Sequence, residues 1–195
     1  MSPTDWSAWT VILLKPDCLA RGLTDDVLAW VARDVHVSAH CVIAPTEQQI
    51  FAHYDDLLPP EVSREFGLDV PAELRRLYVG NQVMVALGHG PDAASRVRAL
   101  LGHTDPSIAG PDTIRGHFGV DSLHNARAET RLINNLIHTS DHAAVVERDF
   151  DIWYGRDQRH LLTPPQPTGA PHGHDLPRPA PSPAADTRPD LNPQA

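Results

Sequence analysis

A histidine at the end of an apolar run is the residue best suited to covalent chemistry in this chain. The run from Asn135 to Ile137 leads into His138, and the polar residues Ser140 and Asp141 follow within three positions. Such a position presents a side chain to a cleft, where Ser140 and Asp141 could hydrogen-bond neighbouring groups and fix the imidazole ring. The same two residues could instead cap a following helix. Because the chain has twelve histidines, the setting and not the residue type singles out His138.

Basic residues occur in two places where they could bind an anionic ligand. Lys15 is the only lysine among the sixteen basic residues, and it directly follows an apolar run. Arg98 and Arg115 flank a segment rich in proline and glycine that contains Thr104. Arginine forks match phosphate oxygens and a threonine hydroxyl adds a donor, although loops of this composition are also common turns. The sequence has neither a Walker P-loop nor a GxGxxG motif, the two usual glycine-rich phosphate loops.

Hydrophobic periodicity predicts the strands and helices that would position these residues. Strands are predicted for residues 9–14, 35–43, 82–87 and 134–138. Helices are predicted for residues 24–33, 47–54, 72–78, 92–101 and 143–154, the first of them capped by Thr24. The order strand, helix, strand, strand, helix, strand is typical of an α+β fold of the ferredoxin-like type, a βαββαβ antiparallel sheet with inserted helices.

The composition changes sharply near the C-terminus. Ten of the nineteen prolines lie from Thr163 onward, where large apolar residues are almost absent. Such a segment cannot bury enough apolar surface to offset the entropy of ordering its backbone. We therefore predict a folded domain over residues 1–160 and a proline-rich disordered tail over residues 161–195.

The charge and the apolar content restrict the partners. The net charge is −9, and an acidic domain repels nucleic acid, so we expect no specific nucleic-acid partner, while a small anionic ligand is still allowed. No apolar run approaches the roughly 18 residues of a membrane span, and the N-terminus lacks a basic signal-peptide segment. We therefore expect a cytoplasmic protein without a membrane partner. Cys18 and Cys41 form no CxxC pair, which favours two buried thiols over a disulfide or a metal site.

Five segments taken together resemble the nucleoside diphosphate kinase family. They are Leu14-Lys15-Pro16-Asp17, His53-Tyr54, Thr104-Asp105-Pro106, Thr113-Ile114-Arg115-Gly116 and the run from Asn135 to Asp141, in the order of the family. The similarity extends over roughly residues 10–154. It implies an enzyme that transfers the terminal phosphoryl group of a nucleoside triphosphate to a nucleoside diphosphate, in a ping-pong reaction through a phosphohistidine.

The resemblance also implies a role for each matching residue. His138 would carry the phosphoryl group, and the other catalytic residues would be Lys15, Tyr54, Ser140 and Asp149. The nucleotide would be bound by Lys15, Arg98, Thr104, Arg115 and Asn135. Mg²⁺ would enter with ATP as phosphoryl donor, bound through the phosphates and not by a protein cage. The expected partners are nucleoside di- and triphosphates, with a homo-oligomer as a further possibility.

Several positions depart from the family pattern. Asp149 stands where the family usually has a glutamate, and Thr139 stands where glycine commonly follows the histidine. The stretch between Arg115 and Asn135 and the region of residues 57–77 are longer than usual, and Phe66 is only a candidate for stacking on the base. These departures motivate a second interpretation, a catalytically weak or inactive nucleotide-binding regulatory module. A scaffold that acts through the tail is a third. The retained lysine, arginines and histidine favour the kinase.

Overall fold

The computed structural model describes residues 4–165, which are organised around a four-stranded antiparallel sheet. The strands are β1 (Trp9–Leu14), β2 (His36–Ile43), β3 (Val83–His89) and β4 (Ile137–Thr139), in the spatial order β2-β3-β1-β4. In the register of the sheet, Leu13 of β1 lies opposite Val85 of β3 on one side and His138 of β4 on the other. Every residue of β1 is buried because this strand is central and both of its faces are covered.

Nine helices surround the sheet within the described part of the chain. They are α1 (Pro16–Ala20), α2 (Thr24–Val31), α3 (Glu47–His53), α4 (Pro60–Phe66), α5 (Val70–Tyr78), α6 (Ala93–Leu101), α7 (Ile114–Phe118), α8 (Leu123–Ala128) and α9 (Ala143–Trp153). Short 3₁₀ turns occupy Trp6–Ala8, Asp55–Leu57, Pro106–Ile108 and Arg156–Leu161. The strand order and the helices between the strands confirm the predicted ferredoxin-like α+β fold.

The alternation of side chains along β1 divides the core into two clusters. Val11 and Leu13 pack on one face of the sheet with residues of α5 and α9, whereas Ile12 and Leu14 pack on the other face with residues of α2 and α6. Successive strand residues point to opposite faces, so the continuous apolar run from Trp9 to Leu14 serves both clusters. The end of β1 is therefore fixed by packing on both faces, and this fixed end supports Lys15, the next residue.

The fourth strand begins later than the sequence predicted, and the expected strand over residues 134–138 is wrong in its first half. Leu136 has φ +69°, and the Ile137 N–H donates to the Asn135 carbonyl at 2.8 Å. A three-residue turn with a positive φ at its centre is the strained type of γ-turn, which no regular strand can include. The strand starts after this turn, at Ile137, and it extends one residue beyond His138 to Thr139.

Other local predictions also need correction. Thr24 is the first residue of α2 and does not cap it through its side chain, since the cap position is Leu23. The alternative in which Ser140 and Asp141 cap the last helix is wrong, because α9 follows His142 and has no side-chain cap. Cys18 is buried, but Cys41 is exposed, because β2 is an edge strand.

Two further observations concern unpredicted helices and the C-terminal end of the described residues. Helices α1, α4 and α7 were not predicted; in α4, Pro60 occupies a first-turn position where proline is tolerated. At the C-terminal end, Leu161 and Leu162 pack against the core, and the compact unit continues to Pro165. Most of the predicted tail, residues 166–195, lies outside the described residues.

Candidate active site

A cavity of about 610 Å³ opens beside β4. This volume is within the usual range for pockets that bind small ligands. The end of β1, the end of α3, helix α6, the loop that follows α6, the start of α7 and β4 all contribute side chains. The structure thus brings Lys15, Tyr54, Arg98, Thr104, Arg115, Asn135, His138 and Asp149 to the walls of one cavity.

His138 lies in the middle of β4 and is partly exposed to the cavity. Burial lowers its pKa well below the ordinary value, and His53, Lys15, Arg115 and Arg98 lower it further. The imidazole is therefore neutral at pH 7 and has a free lone pair on one ring nitrogen. A neutral ring with positive charges around it is suited to attack an electrophile that brings negative charge with it.

Lys15 is held by the segment that precedes His138. Its backbone N–H donates to the Leu136 carbonyl at 2.8 Å, and its ammonium donates to Asn135 Oδ1 at 2.9 Å and to the Ile133 carbonyl at 3.2 Å. Burial lowers the pKa of Lys15 to about 8. The Asn135 amide in turn donates to the Thr104 carbonyl at 3.0 Å, so Lys15, Asn135 and the Thr104 loop form one connected group.

Arg115, at the start of α7, is buried and is oriented by backbone carbonyls. Its guanidinium donates to the carbonyls of Ile137 at 2.8 Å, Gly102 at 3.3 Å and Asn135 at 3.3 Å. Burial, followed by the charge of Arg98, lowers the pKa of Arg115 to about 10, so the side chain stays charged at neutral pH. Three of its five N–H groups are used in this way, which leaves two for a ligand.

Arg98 and Thr104 lie at the exposed side of the cavity. Arg98, on α6, forms an ion pair with Asp141, and both side chains are about half exposed. An exposed pair of this kind contributes little to stability, so a phosphate can replace Asp141 as the partner of Arg98 at small cost. Thr104 is exposed, and its backbone carbonyl is fixed by Asn135.

Tyr54 directly follows α3, and its ring lies against His138. The centroids of the two rings are 5.6 Å apart, and the Tyr54 hydroxyl hydrogen-bonds the hydroxyl of Tyr78 at 2.6 Å. Burial raises the pKa of both phenols, so they stay protonated. Tyr78, on α5, was not among the predicted site residues. A tyrosine near the end of an amphipathic helix carries no local signal of such a contact.

Ser140 and Asp149 connect the end of β4 to α9. The Ser140 hydroxyl accepts a hydrogen bond from the Val11 N–H at 3.3 Å, and it lies close enough to Asp149 to lower the pKa of that carboxyl. Arg148 donates to the Asp149 carboxylate at 3.3 Å. Burial nevertheless raises the pKa of Asp149. Ser140, next to Asp149, thus joins the end of β4 to the Val11 backbone of β1.

His53 is a buried residue beside His138 to which the sequence analysis assigned no role. The Trp153 indole N–H donates to His53 Nδ1 at 3.1 Å, so the proton of the neutral ring is on Nε2. The rings of His53 and His138 are nearly perpendicular, with centroids 4.7 Å apart. Burial, followed by the charge of Arg148, lowers the pKa of His53 to about 3, so its contact with Asp149 at 3.8 Å is not an ion pair. The neutral His53 ring, held by Trp153, therefore packs against one side of the His138 ring.

This burial predicts a loss of stability in weak acid. The folded-state pKa of His53 is below its unfolded value, so the unfolded state binds the proton first and the free energy of unfolding falls as the pH falls below about 6.5. From pH 7 to pH 5 this residue alone should cost about 2 kcal/mol. His53→Asn keeps an acceptor for Trp153 and should lose correspondingly less stability over this range in urea titrations. His142→Asn, which removes an exposed histidine, should keep the wild-type slope. Equal slopes for all three proteins would contradict the prediction.

Fold and site together define a class of protein. An antiparallel ferredoxin-like sheet that places a neutral imidazole, a lysine and two arginines in one open cavity provides a site for phosphate-bearing ligands. Residues 8–159 match the family model described as nucleoside diphosphate kinase. This match covers most of the chain. The chain belongs to the nucleoside diphosphate kinase family, and it is a phosphotransferase that binds nucleotides.

Relatives and solved structures agree with this assignment. A nucleoside diphosphate kinase from Rhodococcus erythropolis is 31% identical over 147 residues, covering 74% of this chain and 93% of the relative. One from Pyrobaculum aerophilum is 27% identical over 177 residues, covering 76% and 96%. The chain is similar to the Borrelia burgdorferi enzyme, solved as a transition state mimic with vanadate and ADP, with a TM-score of 0.71 and 27% identity over 82% of this chain and 92% of that one. The Halobacterium salinarum enzyme in complex with CDP has a TM-score of 0.60 and 26% identity, covering 76% and 88%.

The structure also bears on the membrane prediction. Within residues 4–165, no helix has the length and apolar content needed to cross a bilayer.

Proposed function

We propose that this protein transfers the terminal phosphoryl group of a nucleoside triphosphate to a nucleoside diphosphate through a phosphohistidine on His138. The observation that carries the proposal is the neutral imidazole of His138 in a cavity that it shares with Lys15, Arg98 and Arg115. Transfer of a phosphoryl group depends mainly on positioning and on stabilising charge on the phosphate oxygens.

The proposed reaction has two half-steps. In the first, a ring nitrogen of His138 forms a bond to the terminal phosphorus, the phosphorus–oxygen bond to the β-phosphate breaks, and the nucleoside diphosphate leaves. In the second, a terminal oxygen of an acceptor diphosphate attacks the same phosphorus and the nitrogen–phosphorus bond breaks. The donor and the acceptor use the site in turn, which gives ping-pong kinetics.

The surrounding residues have distinct roles in this proposal. Lys15 and the two free N–H groups of Arg115 would stabilise the transferring group. Arg98 and Thr104 would bind the neighbouring phosphate, and the Lys15–Asn135 pair would reach the sugar hydroxyls. Tyr54, together with His53, would hold the His138 ring in place.

We also propose that Mg²⁺ accompanies the nucleotide. Within residues 4–165, no group of three or more histidine, cysteine, aspartate and glutamate side chains is arranged to hold a metal ion. Mg²⁺ binds readily through phosphate oxygens and water and then needs no such cage, which suits a site whose charged groups are mostly cations. The ion would neutralise phosphate charge, while the protein residues position the phosphates.

A labelling experiment tests the kinase against the inactive-module alternative. Wild-type protein incubated with γ-labelled ATP and Mg²⁺ should gain an acid-labile, alkali-stable label, and addition of a nucleoside diphosphate should remove it as labelled triphosphate. His138→Asn should bind nucleotide in calorimetry but gain no label. Nucleotide binding by wild type without any label, alongside an active control enzyme, would support the binding module and reject the kinase.

The remaining expectations stay predictions. The edge strand β2, with Val42 and Cys41 exposed, offers a surface for a homo-oligomer, whose size light scattering can measure. The cytoplasmic location stays a prediction, and so does the division into a domain over residues 1–160 and a tail over residues 161–195.

A further inference from the structure

The longer stretch between Arg115 and Asn135 folds into helix α8, which is attached at both ends to the walls of the cavity. At its start, the Leu123 N–H donates to Asp105 Oδ2 at 3.1 Å, next to Thr104. After it, the Leu132 N–H donates to Glu73 of α5 at 3.3 Å. The inserted segment therefore links the loop that carries Thr104 to the helical region beyond Tyr54.

This segment changes the chemistry of the cavity away from His138. Lys15, Arg98 and Arg115 line the cavity with His138, whereas most of the side chains from the α4–α5 region and the inserted segment are apolar, and Asp55 and Asp56 also line the cavity. The α4–α5 region and the inserted segment contribute the apolar side chains together, among them Phe66, Leu68, Leu74, Leu77, Leu123 and Ala126. A flat, weakly polar ligand group fits such a lining better than a phosphate does.

One arginine of the inserted helix stands apart from the other cations of the cavity. Arg98 pairs with Asp141, Arg131 with Asp121 and Arg148 with Asp55. Arg127 lines the cavity and is exposed, and within residues 4–165 its side chain has neither an ion pair nor a hydrogen bond.

Arg127 is also separate from the group of cations around His138. Lys15, Arg115 and Arg98 act on the pKa of His138, whereas Arg127 lies on α8 and lines the cavity with Leu123 and Ala126. The guanidinium of Arg127 is therefore available to a ligand beside the apolar lining contributed by α8.

We propose that α8 forms part of the base subsite and that Arg127 selects guanine there; this inference rests on the proposed function. With the terminal phosphate at His138, the base is the far end of the nucleotide, and a flat ring matches the apolar lining. The arginine fork donates two parallel hydrogen bonds to O6 and N7 of guanine. Adenine presents a donor at the position of O6, so it can accept only one of them.

The test compares acceptor bases in the second half-reaction. Phosphorylated protein is mixed with GDP, ADP or CDP, and the loss of label gives a rate and an apparent affinity for each. For wild type, the ratio of the maximal rate of label loss to the apparent dissociation constant should be about tenfold higher for GDP than for ADP. Arg127→Met should remove most of this preference, because GDP loses two hydrogen bonds and ADP loses at most one, so GDP is weakened by up to about tenfold more than ADP while the maximal rate is kept. Arg156→Met, an exposed arginine outside the cavity, is the matched control.

Each outcome decides between the possibilities. A wild type without guanine preference, or an Arg127→Met protein that loses all three acceptors equally, would overturn the proposal, since an equal loss indicates a phosphate contact. If Arg127→Met does not fold, Arg127→Lys keeps the charge without the fork and should still reduce the preference. If wild type gains no label at all, the proposed function fails, while calorimetry with GDP and ADP still tests the base selection.

Discussion

Replacement of Arg115 with methionine should reduce phosphoryl transfer about a thousandfold, the largest loss that we expect from any single cation of the site. Arg115 is buried, three backbone carbonyls orient its guanidinium, and its charge acts directly on His138. A donor fixed in this way does not have to reorganise as charge develops on the phosphate, so its stabilisation falls mostly on the transition state. The rate constant for phosphorylation of His138 at saturating ATP is the measurement.

Two further variants separate this effect from charge and from folding. For Arg98→Met the same rate constant should fall only about tenfold. Arg98 is half exposed, and it is held by an ion pair with Asp141 and not by backbone carbonyls. Arg115→Lys keeps the positive charge, but lysine cannot donate to all three carbonyls. Its loss of rate should therefore lie between those of Arg98→Met and Arg115→Met. Methionine at 115 leaves those carbonyls without their donor, so thermal melting must show a folded protein at the assay temperature. Equal losses for Arg115→Met and Arg98→Met would contradict the special position of Arg115.

Replacement of Asp121 with asparagine should lower the free energy of unfolding by about 3 kcal/mol. Asp121 accepts from Arg131 at 2.5 and 3.0 Å, from the Ser122 N–H at 2.8 Å and from the Asn134 N–H at 2.9 Å. Burial alone would raise its pKa, but the hydrogen bonds of Arg131 and of these two backbone groups lower the pKa to about 2. An amide cannot accept all four, and it leaves the charge of Arg131 without its main partner.

The same arginine provides the control. Glu129 also contacts Arg131, at 2.6 Å, but its side chain is 63% exposed, whereas that of Asp121 is 7% exposed. Glu129→Gln should therefore cost less than about 1 kcal/mol in the same urea titrations. Because the folded pKa of Asp121 is below its unfolded value, its contribution is present above about pH 4 and declines as the pH falls toward 2. Equal losses for the two variants would show that burial does not govern the Arg131 contacts.

Asp121→Asn should also affect the strand that carries His138. Asn134 directly precedes Asn135, whose side chain holds Lys15. Release of the Asn134 N–H from Asp121 loosens this segment, so we expect a lower rate of His138 phosphorylation together with the lower stability. Glu129→Gln should leave that rate unchanged.

The sequence by itself determined the fold class and the composition of the site. The apolar run of β1, the alternating core pattern and the order of elements are local features, and each can be read within a window of about ten residues. The motifs around Lys15, Arg115 and His138 are equally local, which is why the family resemblance named them.

Only the tertiary structure decided how these parts meet. The turn at Leu136 is supported by the Lys15 N–H and by the Asp17 carboxylate, which accepts from the Leu136 N–H at 3.0 Å, so residues about 120 positions away shift the start of β4. The burial of His53 depends likewise on Trp153, and the hydrogen bond of Tyr78 depends on Tyr54. Contacts of this kind arise because packing brings together side chains that are distant in sequence. The hydrophobic periodicity of the sequence is a local property and does not indicate them.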